Sequence, residues 1–112
     1  MATRLFIIES ARAERDQLEY LVEELGLGGA ERRIGRDMDE IVDRVAMAWA
    51  CYHDLDWRGV RRAITPVPDL ARRIGLPGIG RVAADVLETT RARDKPSSAA
   101  TLERLSRLVE SG

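Results

Sequence analysis

The apolar residues of this chain recur every three or four positions and almost never every two, and that spacing limits what it can fold into. Leu18, Leu21, Val22 and Leu25 form one such stripe, and Met38, Ile41, Val42, Val45, Trp49 and Tyr52 a second. Val60, Ala63 and Ile64 follow, then Ile79, Val82, Ala83, Val86, Leu87 and Thr90, and last Leu102, Leu105, Leu108 and Val109. Residues at this spacing share one side of a helix, so each stripe marks a face turned to a common interior. A possible strand at Leu5 to Ile8 is the one exception. Short connections make successive helices antiparallel neighbours. The expected fold is all-α: an antiparallel four-helix bundle with an extra N-terminal helix, in a single domain over residues 1–112.

Local signals set the expected boundaries. Gly26 suits the left-handed end of a first helix, with Gly28-Gly29 as the connection after it. Asp37 with Glu40 three residues on has the form of a capping box opening a second helix. Asp56 can cap a third helix beginning at Trp57. Pro66 and Pro68 remove two backbone donors, so that helix must kink, or stop near Thr65 and restart towards Asp69. A corner from Gly75 to Gly80 and a turn at Asp94 to Ser97, with Ser97 or Ser98 as cap, delimit the last two helices.

Charge excludes little and composition excludes more. The net charge of −1 gives no global attraction to nucleic acid or anionic membrane, although a local basic face can hide in that total. Lys95 is the lone lysine among 18 basic residues, a bias read first as codon composition and second as a supply of bidentate anion contacts. The single Cys51 rules out an internal disulfide and any multi-cysteine zinc site. The apolar start at Leu5 to Ile8 is far shorter than a signal peptide or a spanning helix, so the expected location is the cytoplasm. There is no phosphate-binding loop with lysine, no His-Glu-x-x-His and no nucleophile elbow. A non-catalytic signalling or binding module, with no cofactor and no metal, is the expectation.

Asp56-Trp57, Arg61-Arg62-Ala63, Ile74-Gly75-Leu76, Ala83-Ala84-Asp85-Val86-Leu87-Glu88, Arg93-Asp94 and the closing helix from Leu102 to Val109 together resemble the histidine-containing phosphotransfer domain of two-component signalling, over about residues 39–109. The resemblance implies an exposed imidazole ten residues before the corner glycine, followed by Leu-Lys-Gly slots. Counting back from Gly75, the histidine slot holds Thr65, and Val67, Pro68 and Asp69 hold the other three. A threonine hydroxyl with no adjacent base is a poor nucleophile and gives a stable ester rather than an energy-rich phosphoramidate. What the resemblance leaves is a docking face for a response-regulator receiver or a histidine kinase. In the family that face is a mostly apolar patch with a polar rim, and here its candidates are Arg61, Arg62, Thr65, Asp69, Arg72 and Arg73. The only histidine, His53, sits in Tyr-His-Asp-Leu-Asp, which aligns poorly with the slot; it is the alternative phosphoacceptor, or else a helix-end histidine complementing the dipole.

A second motif competes. Leu76-Pro77-Gly78-Ile79-Gly80-Arg81, with Ala84 four residues past Gly80, matches the helix-hairpin-helix element of DNA-repair glycosylases. That likeness implies non-specific DNA binding, with the backbone amides of Gly78 and Gly80 holding a phosphate and Arg81 adding a contact. Asp85 and Glu88 bring acid to the same stretch, and Gly26 to Gly29 lacks the frame of a second copy.

Overall fold

The computed structural model describes the backbone of residues 2–111 and the side chains of residues 15–110. It is all-helical, with no strand among the described residues: α1 (Ala2–His53), α2 (Trp57–Ile64), α3 (Val67–Arg73), α4 (Pro77–Arg91) and α5 (Lys95–Ser111). Leu5 to Ile8, read as a possible strand, are helical.

α1 is two helices joined at Gly26, whose φ of 74° and ψ of 168° lie outside the helical region. Only glycine takes that φ cheaply. Arg73 shows where the two arms go. Gln17 Nε2 donates to the Arg73 carbonyl at 2.8 Å, and the Arg73 guanidinium donates to Asp37 at 3.3 Å. Along a straight helix, positions 17 and 37 would stand roughly 30 Å apart. One arginine touches both, so the chain folds back at Gly26 and brings Gln17 to the side of the second arm that carries Asp37.

This corrects three expectations. Gly28 and Gly29 are helical rather than a connection. Asp37 lies in mid-helix and is 4% exposed, so it is a buried partner of Arg73 and not a cap. Of the first stripe only Leu21 is buried; Leu18, Val22 and Leu25 remain 37%, 39% and 42% exposed.

The C-terminal arm of α1 supplies Ile41, Val45 and Ala48 to the interior, while Val42, expected inside, faces solvent. Trp49 Nε1 donates to Ser106 Oγ at 2.8 Å, and Tyr52 Oη donates to the Lys95 carbonyl at 3.3 Å, tying this arm to α5. α2 begins as expected: Asp56 Oδ1 accepts from the Gly59 N–H at 2.9 Å. A methyl on Gly59 would meet the Asp56 carboxylate and lie 2.6 Å from the Cys51 sulfur, so any larger residue there must displace the cap and the thiol between α1 and α2.

Three corners share one closure. At Leu55, Gly75 and Arg93 the backbone takes a φ of 56°, 76° and 55°. In each, the residue after it donates back to the carbonyl five positions earlier: Asp56 to Cys51, Leu76 to Ala71 and Asp94 to Thr89. These are Schellman ends, and the residue that closes each also precedes the next helix. Asp94, not Ser97 or Ser98, caps α5, its Oδ1 accepting from the Ser97 N–H at 3.1 Å. Pro77, Gly78, Ile79 and Gly80, read as a corner, form the first turn of α4.

α1 packs on α2 and α3, these pack on α4, α4 packs on α5, and α5 returns to α1. Between them lies one apolar interior whose largest fully buried side chains include Ile41, Ile64, Ile79, Leu102 and Leu105.

Candidate functional site

The α2–α3 junction follows from its prolines. Pro66 cannot donate a backbone hydrogen bond, so α2 stops at Ile64 and α3 starts at Val67 with Pro68 in its first turn. Thr65 closes α2: its N–H donates to the Arg61 carbonyl at 2.9 Å and its hydroxyl to the same oxygen at 2.6 Å. Its neighbour Ile64 is sealed in the core, whereas Thr65 is exposed.

Helical spacing then fixes what shares its side. Arg58, Arg61 and Arg62 lie seven, four and three residues before Thr65, and all three are exposed. None of them has a carboxylate within ion-pair distance among the described residues. Beyond the break, Asp69 and Arg72 pair with each other at 3.1 Å with both side chains more than three-quarters exposed, an arrangement that contributes only a few tenths of a kcal/mol. From α1, Arg44 pairs with Glu40 at 2.9 Å and reaches the Ala63 carbonyl at 3.3 Å, adding a cation at the carbonyl end of α2.

Arg61, Arg62, Thr65, Asp69 and Arg72 therefore come together on one outward side. Arg73 is turned to α1 and engaged by Asp37 and Gln17. The surroundings are more polar than the expected apolar patch. Half-buried Pro66, Pro68 and Leu70 are the apolar element, and the large exposed hydrophobics lie on α1 and at Leu55 instead. Arg58 and Arg44 were not among the sequence candidates. Arg58 could have been found from its seven-residue spacing to Thr65, but Arg44 reaches the site only through the tertiary packing of α1 on α2.

His53 sits at the C-terminal end of α1, with its ring stacked on Trp49 at 5.8 Å and edge-on to Tyr52 at 5.7 Å. It precedes α2 while Thr65 follows it, so the two are at opposite ends of that helix. Cys51, half-buried beneath the α1–α2 corner, has its thiol pushed above the ordinary range, first by burial and then by Asp56 and Asp54. Among the described residues no group of three His, Cys, Asp or Glu side chains could hold a metal ion, and no helix is long and apolar enough to cross a membrane.

The rival site is the start of α4. Gly78 stands in the first turn, where a helix leaves N–H groups open. The Gly80 N–H is directed to the Leu76 carbonyl at 3.5 Å, and Gly80 itself lies against Pro68 of α3. Gly78, Arg81, Val82, Ala84, Asp85, Arg104 and Leu108 line a groove of about 510 Å³ there. Asp85 lies 4.0 Å from Arg104, so the groove holds its own counter-charge. No family model, no curated protein and no solved structure matches this chain.

Proposed function

We propose that this chain is a phosphotransfer-type four-helix bundle, with the N-terminal arm of α1 as its extra helix, that has lost its phosphoacceptor and docks a response-regulator receiver or a histidine-kinase core in the cytoplasm. In this reading the broken α2–α3 column takes the part of the phosphorylated helix. The observation that carries the reading is Thr65: at the position the resemblance gives to the histidine, it is exposed between Arg61, Arg62 and Asp69. Without imidazole at that point the bundle acts as a competitor or scaffold for a relay protein, and no phosphoryl step runs through it. Incubation with a phosphorylated receiver tests both halves. Binding without transfer to the chain is the expected result; phosphate on His53 overturns the loss of the acceptor, and no receiver contact overturns the docking.

The groove that Gly78 and Arg81 share supports a second reading, phosphate contact with duplex DNA through the α3–α4 hairpin, although Gly78 itself is buried. The engaged Gly80 amide and the Asp85 carboxylate weaken it. Its test is retention of random duplex at increasing salt, since each phosphate contact steepens the loss of affinity with salt.

A further inference from the structure

We infer that Thr65 is a phosphorylation site for an arginine-directed serine/threonine kinase, and that the phosphate is seated by Arg61 and Arg62. The inference rests on the geometry of α2 alone, so failure of receiver docking leaves it standing.

Three observations carry it. The Thr65 hydroxyl is exposed, and its hydrogen bond to the Arg61 carbonyl uses its proton while leaving the oxygen lone pairs free for attack. Two arginines without carboxylate partners among the described residues precede it by three and four residues, on the same side of the helix. The eight-residue α2 ends at this residue and a proline that cannot continue its hydrogen bonds follows, so a kinase cleft can draw Thr65 out without opening a long helix.

In the step itself, Thr65 Oγ attacks the γ-phosphorus of ATP, the bond from that phosphorus to the β-bridging oxygen breaks, ADP leaves, and the hydroxyl proton passes to the catalytic base of the kinase. The product is a stable phosphate ester carrying close to two negative charges. The carbonyl end of α2 repels an anion, whereas the guanidiniums of Arg61 and Arg62 can donate charge-assisted hydrogen bonds to it. Arg58 lies one turn further back, and Arg72, held by Asp69, lies on the far side of the break. Asp69 is the one carboxylate at helical spacing from Thr65 across that break. The ester therefore converts an arginine-rich face into a neutralised, ordered one, a long-lived counterpart to a relay phosphate.

Two measurements test the proposal on the full chain. The first incubates it with Mg-ATP and a purified kinase that requires arginines before its acceptor, with a peptide of residues 57–69 as control. Label at Thr65, absent from Thr65→Val, is expected; label on the peptide but none at Thr65 of the folded chain overturns acceptor status. The second installs phosphothreonine at position 65 by genetic encoding and follows its phosphorus-31 resonance against pH. The second ionisation should fall by about half a unit or more below the usual value near 6 and return in Arg61→Gln/Arg62→Gln, since nearby cations favour the dianion. An unshifted titration, equal in both proteins, overturns the seat.

Discussion

The two arginine-bearing surfaces differ in how many arginines they carry and in what those arginines already touch. At the start of α4, Arg104 faces Asp85 and the Gly80 amide is directed at a carbonyl of the preceding turn. On α2, Arg58, Arg61 and Arg62 have no acidic partner among the described residues, and Thr65 between the two short helices is open to solvent. Cations with no carboxylate partner among the described residues are what an anionic or acidic surface can recruit, and α2 carries three of them against Arg81 alone at the start of α4.

The comparison depends first on Thr65 being outside while its neighbour is inside. Replacing Ile64 with Ala should cost about 3 kcal/mol in urea unfolding, within the range for a fully buried isoleucine, whereas Thr65→Ala should stay within about 0.5 kcal/mol. Comparable losses for the two would place Thr65 in the core and remove the candidate face.

Arg73 marks the edge of that face, and its pair with Asp37 gives the next largest effect. Arg73→Ala leaves a nearly buried carboxylate without its cation and should destabilise by about 2 kcal/mol; Asp37→Ala returns a half-exposed guanidinium to water and should cost about half as much. The opposite order would show that Arg73 does not hold the two arms of α1 in place.

Much of the architecture was legible because local rules decided it. Asp56 caps α2 as its side-chain chemistry requires, and Pro66 with Pro68 divides α2 from α3 where two donors are lost. The misses share a different cause. Asp37 and Glu40 have the letters of a capping box, but the partner of Asp37 is Arg73, 36 residues away, and no window along the chain reveals it. Leu55 and Arg93 take left-handed conformations that sequence assigns to glycine, because the Schellman bonds and the next helix cap hold them there. Arg61, Arg62, Thr65, Asp69 and Arg72 could be named from the sequence, whereas the turn of Arg73 to α1 and the approach of Arg44 could not. Nor could the lack of carboxylate partners at Arg61 and Arg62 among the described residues, since pairing is a tertiary fact.

At the level of binding, Arg61→Glu with Arg62→Glu should weaken receiver affinity at least about tenfold, roughly 1.4 kcal/mol, while Arg81→Glu should leave it unchanged. Calorimetric titration of the three proteins distinguishes the two surfaces, and equal loss from Arg81→Glu would move the interface to the α4 groove.

The smallest effect concerns the corner that carries α2. Because the Cys51 thiol is raised in the folded chain, its neutral form is the one the fold favours. That contribution is complete below the ordinary thiol range and is lost as pH rises through the raised value. Wild type should therefore lose stability relative to Cys51→Ala only in strongly alkaline solution. Asp56→Asn keeps a capping side chain and removes the largest charge acting on the thiol, so alkylation by iodoacetamide at pH 8 should speed up a few-fold. An unchanged rate would separate Cys51 from Asp56.

The most direct measurement is nuclear magnetic resonance of the nitrogen-15-labelled chain titrated with a beryllofluoride-activated receiver domain. Amide shifts should concentrate in residues 57–73 and vanish in Arg61→Glu/Arg62→Glu. Shifts centred on residues 78–85 and 104–108, or none at any residue, would contradict docking through the Thr65 face.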